Sequence, residues 1–100
     1  MKCVDLAANP YLLVGGLIAA AMDGLAAGRT LPPPVTGLPS APRLPTTLDE
    51  AADAFAGDAV LRSAFGEVLF DAIVAVRRAE AARFRDTKPE DVASSLRWVY

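Results

Sequence analysis

The segment from Tyr11 to Met22 contains only apolar side chains and glycines, and it constrains the fold of this chain more than any other feature. The segment is shorter than the roughly 18 residues that a membrane-spanning helix needs. Asn9 and Pro10, directly before it, are typical of a helix start, with Asn9 as the N-cap and Pro10 as the first helical residue. Gly28 is a natural end for this helix. Because the helix is apolar almost all round, it must be buried on several sides.

The same region has two other interpretations. A short apolar stretch followed by Ala26 and Ala27 is also found in export signals, but Asp5 and a single Lys2 near the start argue against export. The glycine pair within the segment could mark a nucleotide-binding loop. No lysine or phosphate-binding glycine pattern accompanies the pair, so close backbone packing of a helix is the preferred interpretation.

The stretch from Arg29 to Thr46 is rich in proline, which excludes a helix or a central strand. We expect an extended connector with polyproline character. Hydrophobic residues lie between the prolines and favour a connector fixed to the domain surface over the alternative, a ligand for an SH3-type module. The prolines are Pro32, Pro33, Pro34, Pro39, Pro42 and Pro45.

The rest of the chain has helical patterns. Thr47 and Glu50 form a capping box at the start of a helix that ends at Gly57. Asp58 can cap a short helix that continues to Phe65, and Gly66 allows a bend after it.

A long amphipathic helix is predicted from Glu67 to Arg85, and Glu80 can form an ion pair with Arg77 or Arg83 within it. A last short helix is expected to begin at Thr87, with Pro89 and Glu90 in its first turn. The apolar face predicted for the long helix consists of Val68, Leu69, Ala72, Ile73, Val76 and Ala79.

Composition excludes several classes of site. The net charge of −2 disfavours nucleic-acid binding, which needs a clustered basic surface. Histidine is absent, and Cys3 is the single cysteine, so neither an intramolecular disulfide nor a zinc cluster can form. A lone cysteine fits a reducing compartment, and we expect a cytoplasmic protein without membrane partners.

The predicted fold class is mainly α, with one short extended segment from Lys2 to Leu6. No second convincing strand follows, and an extended segment without a partner cannot form a stable sheet. The apolar first helix also needs more cover than the other predicted helices provide. Both features point to missing upstream sequence or to a partner protein.

Four motifs in order resemble the glutamine synthetase superfamily over essentially the whole chain. They are KCVDLAANPYL (2–12), AAMDGLAAG (20–28), LPTTLDEA (44–51) and VRRAEAARF (76–84). Within this superfamily, Lys2 and the Arg97-Trp98 ending make the chain most similar to the ligases that join glutamate to amines or polyamines.

The resemblance implies the C-terminal helical part of an α+β catalytic domain. Its predicted division is a strand end and turn over 1–8, a buried helix over 9–28, a proline-rich connector over 29–46 and a helical C-terminal region over 47–100.

In this family, carboxylates and a histidine hold magnesium or manganese, ATP phosphorylates the glutamate side chain, and an amine then displaces phosphate. The resemblance places nearly all of these residues upstream of this region. A basic position of the family corresponds to Lys2, which is therefore the one candidate substrate-binding residue; the alternative is a solvated terminal side chain. A family metal-binding glutamate would fall immediately before Met1. No catalytic residue, metal ligand or ATP site is expected in this chain, and Asp5, Asn9, Pro10 and Tyr11 are expected to be structural residues of the motif.

The sequence therefore predicts a C-terminal fragment of a glutamine synthetase-like ligase that is inactive alone. Its expected partner is the missing upstream half of the ligase or a second copy in a homo-oligomer. The alternative functions are a small helical interaction module derived from such a ligase and an exported protein.

Overall fold

The computed structural model describes residues 8–34 and 43–98. These residues are mainly α-helical, as predicted, and contain no β-strand. The predicted N-terminal extended segment lies outside the described residues. The helices are α1 (Pro10–Ala26), α2 (Leu48–Ala56), α3 (Ala59–Phe65), α4 (Glu67–Phe84) and α5 (Pro89–Leu96).

Helix α1 begins and ends with local hydrogen bonds that its sequence specifies. The Asn9 side chain accepts hydrogen bonds from the backbone N–H groups of Tyr11 and Leu12, at 3.0 and 3.2 Å. At the other end, Gly28 has a φ of +62°, which favours glycine. The N–H of Arg29 then donates to the carbonyl of Gly24 at 2.9 Å, as in a Schellman motif.

Helices α2 and α3 begin with side-chain caps, as predicted. The backbone N–H of Glu50 donates to the Thr47 hydroxyl at 3.2 Å, and the Glu50 carboxylate accepts from the N–H of Thr47 at 3.4 Å, which completes the capping box. Asp58 accepts from the N–H groups of Val60 and Leu61, both at 2.9 Å. Each cap satisfies donors that have no partner within the helix.

The core lies where α4 packs against α2 and α3. Phe70 of α4 is fully buried and stacks on Phe55 of α2, with ring centroids 4.6 Å apart. Ala52 and Ala81 are the other buried apolar residues of the described chain. Helix α1 packs mainly against α3 and contributes no buried residue. Within the described residues α1 is therefore not buried on several sides, and its burial in a larger domain stays a prediction.

The prediction of which face of α4 packs is wrong for all of its residues except Ile73. Val68 is 89% exposed and Val76 is 52% exposed. The packed face instead contains Phe70 and Ala81, with Ile73 half-buried beside them. A large aromatic ring buries more area than the aliphatic residues, and a small alanine lets α2 approach closely, which explains why this face packs.

The last helix begins at Pro89, two residues after the predicted start at Thr87, and Pro89 and Glu90 lie in its first turn as predicted. Lys88 is extended, with a ψ of 146°. A proline disfavours helical conformation in the residue before it, so the helix cannot include Lys88. Within 8–34 and 43–98, no helix is both long and apolar enough to cross a membrane.

Candidate functional site

Helix α1 exposes a continuous row of large apolar side chains. They are 51–85% exposed and consist of Tyr11, Val14, Ile18, Met22 and Leu25, which we call the outer stripe. A neighbouring side of α1 lies against α3. There the Phe65 ring covers both central glycines: a Cβ added at Gly15 or Gly16 would lie 3.6 or 3.5 Å from it. The glycine pair is thus a helix-packing surface, as its sequence context indicates.

An open groove of about 500 Å³ runs between α1 and α3. Its walls are mostly apolar, and its polar edge contains Asp23, Arg29 and Asp58. Asp23 and Arg29 form an ion pair with an N–O distance of 2.7 Å. Asp58 already caps α3 through one carboxylate oxygen. The apolar wall residues include Leu12, Leu13, Leu17, Phe55, Leu61 and Phe65.

A second open groove of about 530 Å³ lies between the start of α2, the end of α4 and α5. Its floor is apolar, with Leu48, Phe84 and Leu96 among its residues. Arg77 and Glu80 form an ion pair at its edge, at 2.6 Å, which confirms one of the predicted pairings.

Most carboxylates of the described helices take part in structural contacts. Two ion pairs join neighbouring helices: Arg62 with Asp71 at 3.1 Å, and Arg78 with Asp53 at 3.0 Å. The guanidinium of Arg62 also lies 4.3 Å from the centroid of the Phe70 ring. Such exposed pairs contribute roughly 0–1 kcal/mol each. These carboxylates therefore orient helices instead of converging on one point.

The acidity of Glu50 is shifted by its hydrogen bonds at the start of α2. Hydrogen bonds from the backbone N–H of Thr46, the Thr46 hydroxyl and the backbone N–H of Thr47 lower the pKa of Glu50 below its ordinary value of 4.5. These bonds stabilise the ionised carboxylate. These hydrogen bonds belong to the capping box of α2. The lowered pKa of Glu50 is therefore a consequence of helix capping and does not indicate an acid–base site.

The described residues do not fit the metals that the family resemblance implies. No group of three or more His, Cys, Asp or Glu side chains within 8–34 and 43–98 is placed to hold a metal ion. Magnesium needs closely spaced oxygen ligands to bind with ATP phosphates. No such arrangement exists in this part of the chain.

The candidate residues from the sequence have different outcomes. Lys2, the candidate substrate-binding residue, and Asp5 lie outside the described residues. Asn9 and Pro10 form the entrance to α1, and Tyr11 lies beside them with its ring 85% exposed.

Sequence reasoning identified the apolar run but not which side of it would stay uncovered. The position of Asp23 could have indicated this, because it is the one charged residue of α1 and lies on the side of α3. The two grooves were missed, since each forms between helices that are distant in sequence.

Comparison with known proteins gives the family. Residues 1–94 match the glutamine synthetase catalytic domain. The chain is 45% identical to the gamma-glutamylpolyamine synthetase GlnA3 of Streptomyces coelicolor, over 100% of this chain and 24% of that protein. It is 39% identical to a gamma-glutamylanilide synthase of Acinetobacter sp., over 86% of this chain and 18% of that protein. No solved structure matches.

A third relative, the gamma-glutamylethanolamide synthetase GlnA4 of Streptomyces coelicolor, is 39% identical over 59% of this chain and 13% of its own length. The chain thus spans about a quarter or less of the length of the curated relatives it matches. The match over residues 1–94 confirms the resemblance seen in the motifs. The chain belongs to the glutamine synthetase catalytic-domain family, as a mainly α-helical, C-terminal part of that domain.

Proposed function

We propose that this chain serves as the helical C-terminal part of an ATP-dependent ligase that joins glutamate to an amine. The observation that carries the proposal is the 45% identity to a gamma-glutamylpolyamine synthetase over the whole chain. The names of the other two relatives, an anilide synthase and an ethanolamide synthetase, share the gamma-glutamyl group and differ in the amine. The proposed product is therefore a gamma-glutamyl amide, with the amine left open.

The proposal includes that the chain has no ligase activity alone. Phosphoryl transfer from ATP needs divalent cations that bridge the phosphates, and these need converging oxygen or nitrogen ligands. Here Asp58 and Glu50 cap helices, and Asp23 and Asp71 pair with arginines on the surface. Because these carboxylates have structural partners, we assign them a role in stabilising the helices and not in binding metal ions. Magnesium or manganese and ATP would be bound by other residues of the complete ligase.

The proposed location is the cytoplasm, where ATP and glutamate are available. The proposed partner is the remainder of a ligase chain, which in relatives of this family accounts for three quarters or more of the length. Assembly into a homo-oligomer belongs to the same proposal.

The test is ATP-dependent phosphate release with glutamate, magnesium or manganese, and a panel of amines. The panel contains ammonia, a polyamine, aniline and ethanolamine. We expect no turnover from the purified chain. We expect turnover when the chain replaces the matching quarter of the Streptomyces coelicolor polyamine synthetase. Turnover by the purified chain alone would refute the proposed lack of activity, and a folded but inactive chimera would count against the ligase role.

A further inference from the structure

The first part of the proline-rich stretch leaves α1 at a fixed point. The backbone N–H of Arg29 donates to the carbonyl of Gly24 at 2.9 Å, and the Arg29 guanidinium pairs with Asp23 at 2.7 Å. From Thr30 to Pro34 the chain forms neither helix nor strand, and all of these residues are exposed. The stretch is thus held at its start and presented to solvent as far as Pro34.

The residues LPPP (31–34), which we call the proline segment, have little backbone freedom. Each proline ring holds its own φ near about −65°. Leu31, Pro32 and Pro33 each precede a proline, and a residue in that position is driven from the helical to the extended conformation. Both restrictions favour a polyproline II helix, which has about three residues per turn and no internal hydrogen bonds. Its carbonyl groups are therefore available as acceptors for another protein.

The leucines at the two ends of the proline-rich stretch do not fix it to the described surface. Leu31 is 94% exposed and Leu44 is 71% exposed. We expected hydrophobic residues of the stretch to hold it as a connector on the domain. The exposure of these two favours the other interpretation of the stretch, a ligand for an SH3-type module. An apolar side chain beside consecutive prolines is what the aromatic-lined grooves of such modules bind.

We propose that the proline segment is a recognition segment for a partner protein that has a groove lined by aromatic side chains. In such a groove the proline rings and the Leu31 side chain pack on Tyr and Trp rings, and Tyr O–H or Trp N–H groups donate to the carbonyls of the segment. Binding costs little conformational entropy, because the segment is already extended before it binds. The inference does not depend on the ligase role, since it uses residues of the connector only.

The competing occupant is the body of a ligase that contains this chain. The prolines argue against pairing with a sheet there, because three consecutive residues without an N–H group cannot donate to a neighbouring strand. Side-chain contacts alone would have to cover the segment. Such cover predicts that the segment binds no other protein once the ligase is complete.

The test titrates the full chain into isotope-labelled SH3, WW and EVH1 domains and follows the amide shifts of their aromatic grooves. We expect saturable binding to the groove of at least one of these modules. Leu31→Ala should raise the Kd about tenfold or more, because it removes most of an apolar contact. Leu44→Ala is the matched control, since Leu44 is also exposed but is followed by one proline instead of three. It should change the Kd by less than about twofold, and both variants should fold like the parent chain.

Three results would overturn the inference. The first is no binding to any of the three grooves, and the second is equal weakening by Leu31→Ala and Leu44→Ala. The third comes from the chimera with the polyamine synthetase: a folded chimera that no longer binds a module that the isolated chain binds has the segment under the ligase body. A chimera that binds with the Kd of the isolated chain supports the inference. Neither result depends on whether the chimera turns over an amine, so the proposed function is tested separately.

Discussion

Replacing Phe70 by alanine tests whether the core lies between α2, α3 and α4. Phe70 is 0% exposed and is the largest fully buried side chain of the described residues. Phe→Ala changes in cores cost about 3–5 kcal/mol. The ring of Phe55, 4.6 Å away, and the guanidinium of Arg62, 4.3 Å away, also lose their partner, which places the expected cost in the upper half of that range.

This cost is large compared with the whole free energy of unfolding. Small domains are stable by about 5–15 kcal/mol, and a described core of three buried apolar residues places this chain at the lower end. We therefore expect Phe70→Ala to leave most molecules unfolded or nearly so. The change Phe70→Leu keeps most of the apolar volume but loses both ring contacts, and it should cost less than Phe70→Ala.

The measurement is urea unfolding followed by far-ultraviolet circular dichroism, with Val68→Ala as a surface control. Val68 is on the same helix but 89% exposed, so its truncation should change the free energy of unfolding by less than about 0.5 kcal/mol. A cost of about 1 kcal/mol or less for Phe70→Ala, or equal costs at positions 70 and 68, would show that α4 packs through another face.

Three further predictions follow from the helix ends and from α1. Asn9→Ala should cost on the order of 1 kcal/mol in a full-length relative, measured by chemical unfolding, and no change would mean that Asn9 is not the cap. Because folding lowers the pKa of Glu50 below 4.5, its ionised form stabilises the fold above that pH, and this contribution is lost as the pH falls through the lowered pKa; Glu50→Gln should remove this part of the pH dependence of the Tm. The isolated chain should self-associate, because the outer stripe of α1 is exposed; sedimentation would test this, and a monomer at all concentrations would contradict it.

The ends of the helices could be predicted because their hydrogen bonds are local. Asn9, Thr47 and Asp58 each bond to backbone groups two or three residues away. Such a contact depends on residue types and spacing alone, so the sequence contains it in full. The same reasoning explains Gly28, whose positive φ ends α1 through bonds to the preceding turn.

The packed face of α4 could not be predicted in the same way. Phe55 and Phe70 meet because the turns at Gly57 and Gly66 bring α2 and α4 together, and the direction of these turns is not visible in periodicity. The helix has two apolar sides, one with Val68 and Val76 and one with Phe70 and Ala81. A pattern of spacing cannot select between them, since both satisfy it.

Helices α1 and α4 both expose large apolar side chains, but the arrangement of these side chains differs. On α4, Val68 and Val76 lie about two turns apart with the small Ala72 between them, and scattered exposed apolar residues of this kind are normal on a protein surface. On α1, the five residues of the outer stripe are contiguous and uncharged, and the helix packs mainly against α3. Because α1 packs mainly against α3 within residues 8–34 and 43–98, further contacts made by its stripe would add directly to its stability.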